Sequence, residues 1–171
     1  ALNREIIDHL EGELKKRGHN LPVYFGNRNW HPFASETAEK MSQDGVRKVA
    51  VFATSAWGGY SACRQYDEDI QQMREHLAEQ GLPDIEFTKI RQFFDHPKFV
   101  AEMAAAVTEV WGQVPEEKKE STRLLFTAHS VPVAHDNVGG AEGDKNLYSR
   151  QVAEASRLVA AQAGISGYDL V

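Results

Sequence analysis

The chain has 171 residues, 42% hydrophobic and 26% charged, with a formal net charge of −6. That is enough for one sizeable core or slightly more than one domain, the acidic balance argues against a nucleic-acid partner, and a single cysteine excludes an internal disulfide. No apolar run approaches the roughly 20 residues of a transmembrane span, and the charged opening does not read as a signal peptide, so a cytoplasmic protein is expected.

Leu2, Ile6, Leu10 and Leu14 recur at helical spacing, and Gly18 ends that helix. "LPVYFG" (21–26) reads as a strand. Ala34, Thr37, Ala38 and Met41 line one face of a helix that stops at Gly45. "RKVAVFAT" (47–54) is a more apolar strand. Cys63, Tyr66, Ile70, Met73 and Leu77 repeat at three and four, which predicts a helix over 61–80 with Cys63 on its inner stripe. "DIEFTKI" (84–90) alternates like a strand. Pro97 suits the first turn of the next helix, with Asp95 and His96 at its cap and Val100, Met103, Ala104, Val107 and Val110 facing inward.

Residues 112–122 are charged and poor in apolar side chains, and mark a domain boundary: 1–117 as most of one α/β domain, 118–171 as the start of a second. A strand over 123–128, a polar loop over 134–144 and a helix over about 146–163 come next, the helix with Tyr148, Val152, Ala155 and Val159 as its stripe. The last residues, "YDLV", open another strand. With Ala1 inside an apparent helix, both ends interrupt structure and lead us to expect an excerpt of a longer chain.

Alternating apolar strands and helices imply an α/β protein with a Rossmann-like, three-layer parallel sheet. Such sheets bind ligands beyond the carboxyl ends of their strands. His129, just past strand 123–128, stands in that position. A neutral imidazole there accepts a proton or ligates a metal; the alternative is a histidine that only hydrogen-bonds a neighbouring loop. The sequence argues against a hydrolase dyad of His129 with Ser130, because adjacent side chains on extended backbone point to opposite faces.

"SAWGGYS" (55–61) sets two glycines between two aromatics ahead of a helix. Its backbone can cradle an anion or let a flat ligand lie close, with Trp57 and Tyr60 packing against it. A plain strand-to-helix turn with core aromatics is the competing reading. It is neither a P-loop nor a dinucleotide fingerprint. Cys63 alone cannot build a metal site, and His31, His96 and His135 read as surface or capping residues.

"FTAHSVP" (126–132) resembles the histidine motif of ferrochelatases. "PVYFGNRNWHPF" (22–33), "DGVRKVAVFATSAWGGYSACRQY" (44–66), "DHPKFV" (95–100) and "LYSRQVAEASRLVAAQAG" (147–164) resemble the same family in the same order. "CRQY" and "LYSRQV" are most similar to its actinobacterial branch, whose substrate is coproporphyrin III. The resemblance implies a lyase of heme biosynthesis that inserts Fe²⁺ into a porphyrin held between two similar domains, the second truncated here. It implies His129 as the catalytic, metal-site residue and Tyr60 as a porphyrin contact within the loop of Ser55, Trp57, Gly58, Gly59 and Ser61. It implies Cys63 as one of four ligands to a [2Fe–2S] cluster, the other cysteines and an opposing carboxylate lying in the missing remainder of the chain. Asn29 stands where some relatives have histidine, and loop 134–144 departs from their Gly-Asp-Pro-Tyr run. A chelatase for another metal, or a non-catalytic tetrapyrrole-binding module with His129 as axial ligand, are the alternative functions.

Overall fold

The computed structural model describes residues 2–60, 64–140 and 144–171. Helices and short strands succeed one another as α1 (Leu2–Lys16), α2 (Ala34–Gln43), β1 (Lys48–Val51), α3 (Gln65–Glu79), β2 (Glu86–Lys89), α4 (Pro97–Trp111), α5 (Glu116–Lys119), β3 (Leu124–Phe126), α6 (Val133–Asp136), α7 (Leu147–Ala163) and β4 (Tyr168–Leu170). This is a mixed α/β fold. β1 hydrogen-bonds with β2, and β3 with β4, the latter pair parallel with Leu125 opposite Asp169.

The chain forms two compact units. The first holds residues 1–51 and 68–88, the second residues 52–67 and 89–171.

In the first unit, Ala38 and Met41 of α2 close on Met73 and Leu77 of α3 and on Ile85, with Tyr24, Val49, Ile70 and Phe87 around them. Of the stripes read from periodicity, Ala38 and Met41 of α2 and Met73 and Leu77 of α3 are buried, Ala34, Thr37, Tyr66 and Ile70 are half-buried, and Cys63 lies outside the described residues. Gly45 turns the chain in the left-handed region (φ +85°) after α2, where glycine carries no Cβ penalty. The α1 stripe behaves differently: Leu2, Ile6 and Leu10 are 69%, 41% and 37% exposed, and no α1 residue is buried.

The strand expected over 21–26 does not form. The one pairing nearby is an isolated bridge between Asn27 and Phe33. Pro22 has no N–H to give a ladder, and Leu21 is exposed. The segment is held by side chains instead: Thr37 Oγ1 donates to the Phe25 carbonyl at 2.9 Å, and the Tyr24 hydroxyl donates to Asp44 Oδ2 at 2.9 Å. Past it, the Asn27 N–H donates to the Pro32 carbonyl and the Ala34 N–H to the Asn27 carbonyl, while Arg28 makes a bidentate pair with Asp69.

In the second unit, α4 and α7 pack through Val100, Ala104 and Val159, with Phe126 and Leu158 against them. His96 caps α4, its Nδ1 accepting from the Lys98 N–H at 3.3 Å, with Pro97 at the first helical position; that is the end the sequence marks. Met103 and Val110, read as inward, are 45% and 65% exposed, so α4 buries a narrower stripe than its apolar residues span. Residues 112–122, apolar-poor as read, carry the short helix α5.

Candidate functional site

The β3–β4 pairing carries the chain to the point where His129 leaves it. The Val171 N–H donates to the Phe126 carbonyl at 3.0 Å, and the Ala128 N–H to the Val171 carbonyl at 3.4 Å. Phe126 and Tyr168 pack edge to face across the pair, 5.5 Å between centroids. His129 is the next residue, at the carboxyl end of β3, and its side chain is exposed. Its carbonyl accepts the Tyr148 hydroxyl at 3.0 Å.

α7 begins without an ordinary cap. Asn146, at the N-cap, takes a left-handed conformation (φ +56°) and its side chain caps nothing. The first N–H groups of a helix have no partner within it. Asp136, at the end of α6, supplies one. Its Oδ1 accepts from the N–H groups of Tyr148 (3.1 Å) and Ser149 (3.4 Å), and its Oδ2 accepts the Ser149 hydroxyl. The carboxylate is buried and meets the positive end of the helix dipole. The histidine loop is thereby fixed to the start of α7.

The glycine loop packs onto the same helix end. The Gly58 N–H donates to Gln151 Oε1. A Cβ on Gly58 would stand 2.7 Å from Leu147 Cδ2, and one on Gly139 would stand 2.8 Å from Gly59 Cα. Gly59 has φ +128°, a region that side chains rarely adopt, and Tyr148 Cβ lies 3.3 Å from where its Cβ would be. The two glycines between aromatics thus serve close backbone approach: to α7 at Gly58, and to the loop at Gly139 from Gly59.

Ser55 Oγ donates to the Trp57 carbonyl at 3.2 Å, closing the turn. The Trp57 indole meets Phe99 edge to face, 6.2 Å between centroids, which anchors the loop to α4. The Tyr60 ring stacks on His135, 4.4 Å between centroids and 19° between planes, and Arg64 Cζ lies 5.6 Å from the same ring. The Tyr60 ring thus pairs with an imidazole by stacking and with a guanidinium within cation–π range.

Ser55, Trp57, Gly58, Gly59, Tyr60 and His129 all belong to the second unit. Tyr148 touches both the loop of the first five and the backbone of His129. Cys63 and Ser61, the remaining residues read as site residues, lie outside the described residues. Among the described residues no group of three or more His, Cys, Asp and Glu side chains is placed to hold a metal ion. Cys63 is the only cysteine, so the residues of this chain do not enclose an iron–sulfur cluster by themselves.

Three contributors escape the sequence reading. Asp136 caps from eleven residues ahead of α7, so no local spacing announces it. His135, read as a surface or capping residue, stacks on Tyr60. Tyr148 reads as a stripe position, with nothing to mark its hydroxyl.

A family model of ferrochelatases matches residues 1–171. The chain belongs to the ferrochelatase family. It is 57% identical over its full length to the coproporphyrin III ferrochelatase of Corynebacterium glutamicum, covering 46% of that protein. It is 56% identical to that of Corynebacterium diphtheriae and 52% identical to that of Mycolicibacterium smegmatis, covering 48% of each and all of this chain in both. The chain therefore spans about half the length of the curated relatives it matches. No helix among the described residues is long and apolar enough to cross a membrane.

Proposed function

We propose that this chain forms part of an enzyme that inserts Fe²⁺ into a porphyrin, with coproporphyrin III as substrate and His129 acting at the metallation step. The observation that carries this reading is an exposed imidazole at the carboxyl end of β3 in a ferrochelatase-family chain. Metallation exchanges two pyrrole protons for one Fe²⁺. His129 accepts one of those protons, a task that needs a base within hydrogen-bond reach of the pyrrole nitrogens; the other leaves to solvent or to a group outside this chain. Tyr60, flanked by His135 and Arg64, offers the aromatic contact for the macrocycle, and the turn of Ser55, Trp57, Gly58 and Gly59 holds it in place. Fe²⁺ is substrate here. Cys63 gives one thiolate to a [2Fe–2S] cluster whose other ligands come from beyond this sequence, as thiolate ligation suits such clusters.

The test is His129→Ala in a full-length protein containing this sequence, assayed anaerobically with coproporphyrin III and Fe²⁺. Losing general-base help costs about 10²–10⁴-fold in rate, so kcat falls by at least about 10² while porphyrin affinity, read by fluorescence titration, holds. A near-normal kcat would overturn the reading. Parallel assays with Co²⁺ and Zn²⁺ separate an iron enzyme from a chelatase for another metal.

A further inference from the structure

We propose that Tyr148 is a positioning residue that locks the backbone of His129 to the glycine loop carrying Tyr60, so that the imidazole and the aromatic contact keep a fixed separation. The proposal rests on the role of His129 in metallation. Three contacts converge on this one residue. Its hydroxyl donates to the His129 carbonyl at 3.0 Å. Its N–H donates to Asp136 Oδ1 at 3.1 Å, inside the buried cap of α7. Its Cβ packs over Gly59, 3.3 Å from where a Cβ would stand there.

Such a lock matters because, among the described residues, the chain just beyond β3 has few other ties. Among the described residues, the bond from Tyr148 is the one hydrogen bond that reaches residues 129–131, and the next tie is at the Pro132 carbonyl, which accepts from His135 and Asp136. The His129 imidazole makes no hydrogen bond or ion pair of its own among the described residues. Its place is set through its backbone, which the Tyr148 phenol holds. The other side of Tyr148 rests on Gly59, the residue before Tyr60, whose ring stacks on His135. A proton acceptor that drifts by an ångström from its partner loses much of its rate, because catalysis depends on alignment.

Tyr148→Phe removes the hydroxyl and keeps the ring packed on Gly59. In a full-length protein containing this sequence, the expected result is a fall in kcat for Fe²⁺ insertion of about tenfold, with KM for coproporphyrin III and melting temperature unchanged. Added to His129→Ala, the substitution lowers the residual rate no further, since it acts through the imidazole. If Tyr148→Phe keeps full kcat while His129→Ala loses it, the lock is wrong and the role of His129 stands. If neither variant loses rate, the role of His129 fails and the lock fails with it. A variant that melts earlier and shifts KM and kcat together, or that slows His129→Ala further, makes Tyr148 a packing residue and overturns the proposal.

Discussion

The Asp136 carboxylate accepts the backbone N–H of Tyr148 at 3.1 Å from a residue twelve positions earlier in the chain. One buried acidic group thus ends α6, starts α7 and fixes the loop that leaves His129. The Asn146 N–H also donates to the Asp136 carbonyl at 3.1 Å, so both side chain and backbone of Asp136 receive the entry to the helix. The geometry of the histidine loop depends on this cap.

Asp136→Ala leaves the Tyr148 and Ser149 N–H groups and the Ser149 hydroxyl without their acceptor. Loss of a helix cap costs about 0.5–2 kcal/mol, and burial places this one toward the upper end. Asp136→Asn keeps an acceptor oxygen but loses the charge at the helix N-terminus, and is expected to cost less. Urea unfolding of the two variants checks the order; an Asp136→Ala midpoint equal to that of the parent would show that the cap is dispensable.

Gly139→Ala is expected to harm the site more than Gly58→Ala. The added Cβ at 139 meets backbone, 2.8 Å from Gly59 Cα and 3.2 Å from Tyr60 N, so the two loops must separate. At 58 it meets only side-chain atoms, of Leu147 and of Gln151, which can turn aside at the cost of the Gly58–Gln151 hydrogen bond. Overpacking against fixed atoms costs about 1–3 kcal/mol; the Gly58 variant falls below that range. Melting temperatures rank the pair, and the reverse order would mean that the loops do not approach as described.

Acid stability offers a third check, in the first unit. The Lys40 ammonium and then the Tyr24 hydroxyl, both bonded to Asp44, hold its carboxyl below the usual carboxylate range. A carboxyl depressed in the folded state stabilises the fold above its unfolded value of about 3.9. That contribution drains away as pH falls through the lower folded value, because the unfolded chain binds the proton first. Asp44→Asn is therefore expected to lose stability near neutrality and to show a shallower decline below about pH 4. Denaturant midpoints from neutrality down into the acid limb read this, and raised salt shrinks the difference since the pair is exposed. Identical acid limbs in both proteins would contradict it.

What the sequence reveals and what it hides divide along the range of the signal. The start of α4 is written in three adjacent residues, Asp95, His96 and Pro97, and the structure places the cap at His96. The α7 stripe repeats within one helix, and Val152, Ala155 and Val159 are buried as its period predicts. Period alone does not say what covers a stripe, so Leu2, Ile6 and Leu10 look like core and stay exposed. Residues 21–26 have strand-like composition, but a strand exists only with a partner, and here the bonds from Thr37 to the Phe25 carbonyl and from the Tyr24 hydroxyl to Asp44 hold the segment. The strand-end position of His129 is legible from the apolar run before it. The Asp136 cap, the His135 stack and the Tyr148 hydroxyl are not, because each joins residues that no periodicity links.

Cys63 makes the last test. By its place in the repeat of Tyr66, Ile70, Met73 and Leu77 it reads from sequence as a small core side chain, and on that reading Cys63→Ser would cost little beyond packing. As a proposed ligand of a [2Fe–2S] cluster, it ties this part of the protein to ligands beyond this sequence. Serine is a poorer ligand for iron–sulfur clusters than a thiolate. Because binding to the folded state alone stabilises it, losing the cluster lowers the melting temperature as well as the colour. The measurement is iron, sulfide and visible absorbance of full-length Cys63→Ser purified anaerobically, beside its thermal unfolding. The expected result is a protein depleted of iron and sulfide that melts earlier than its parent. A variant that keeps a stoichiometric cluster would make Cys63 a buried thiol and nothing more.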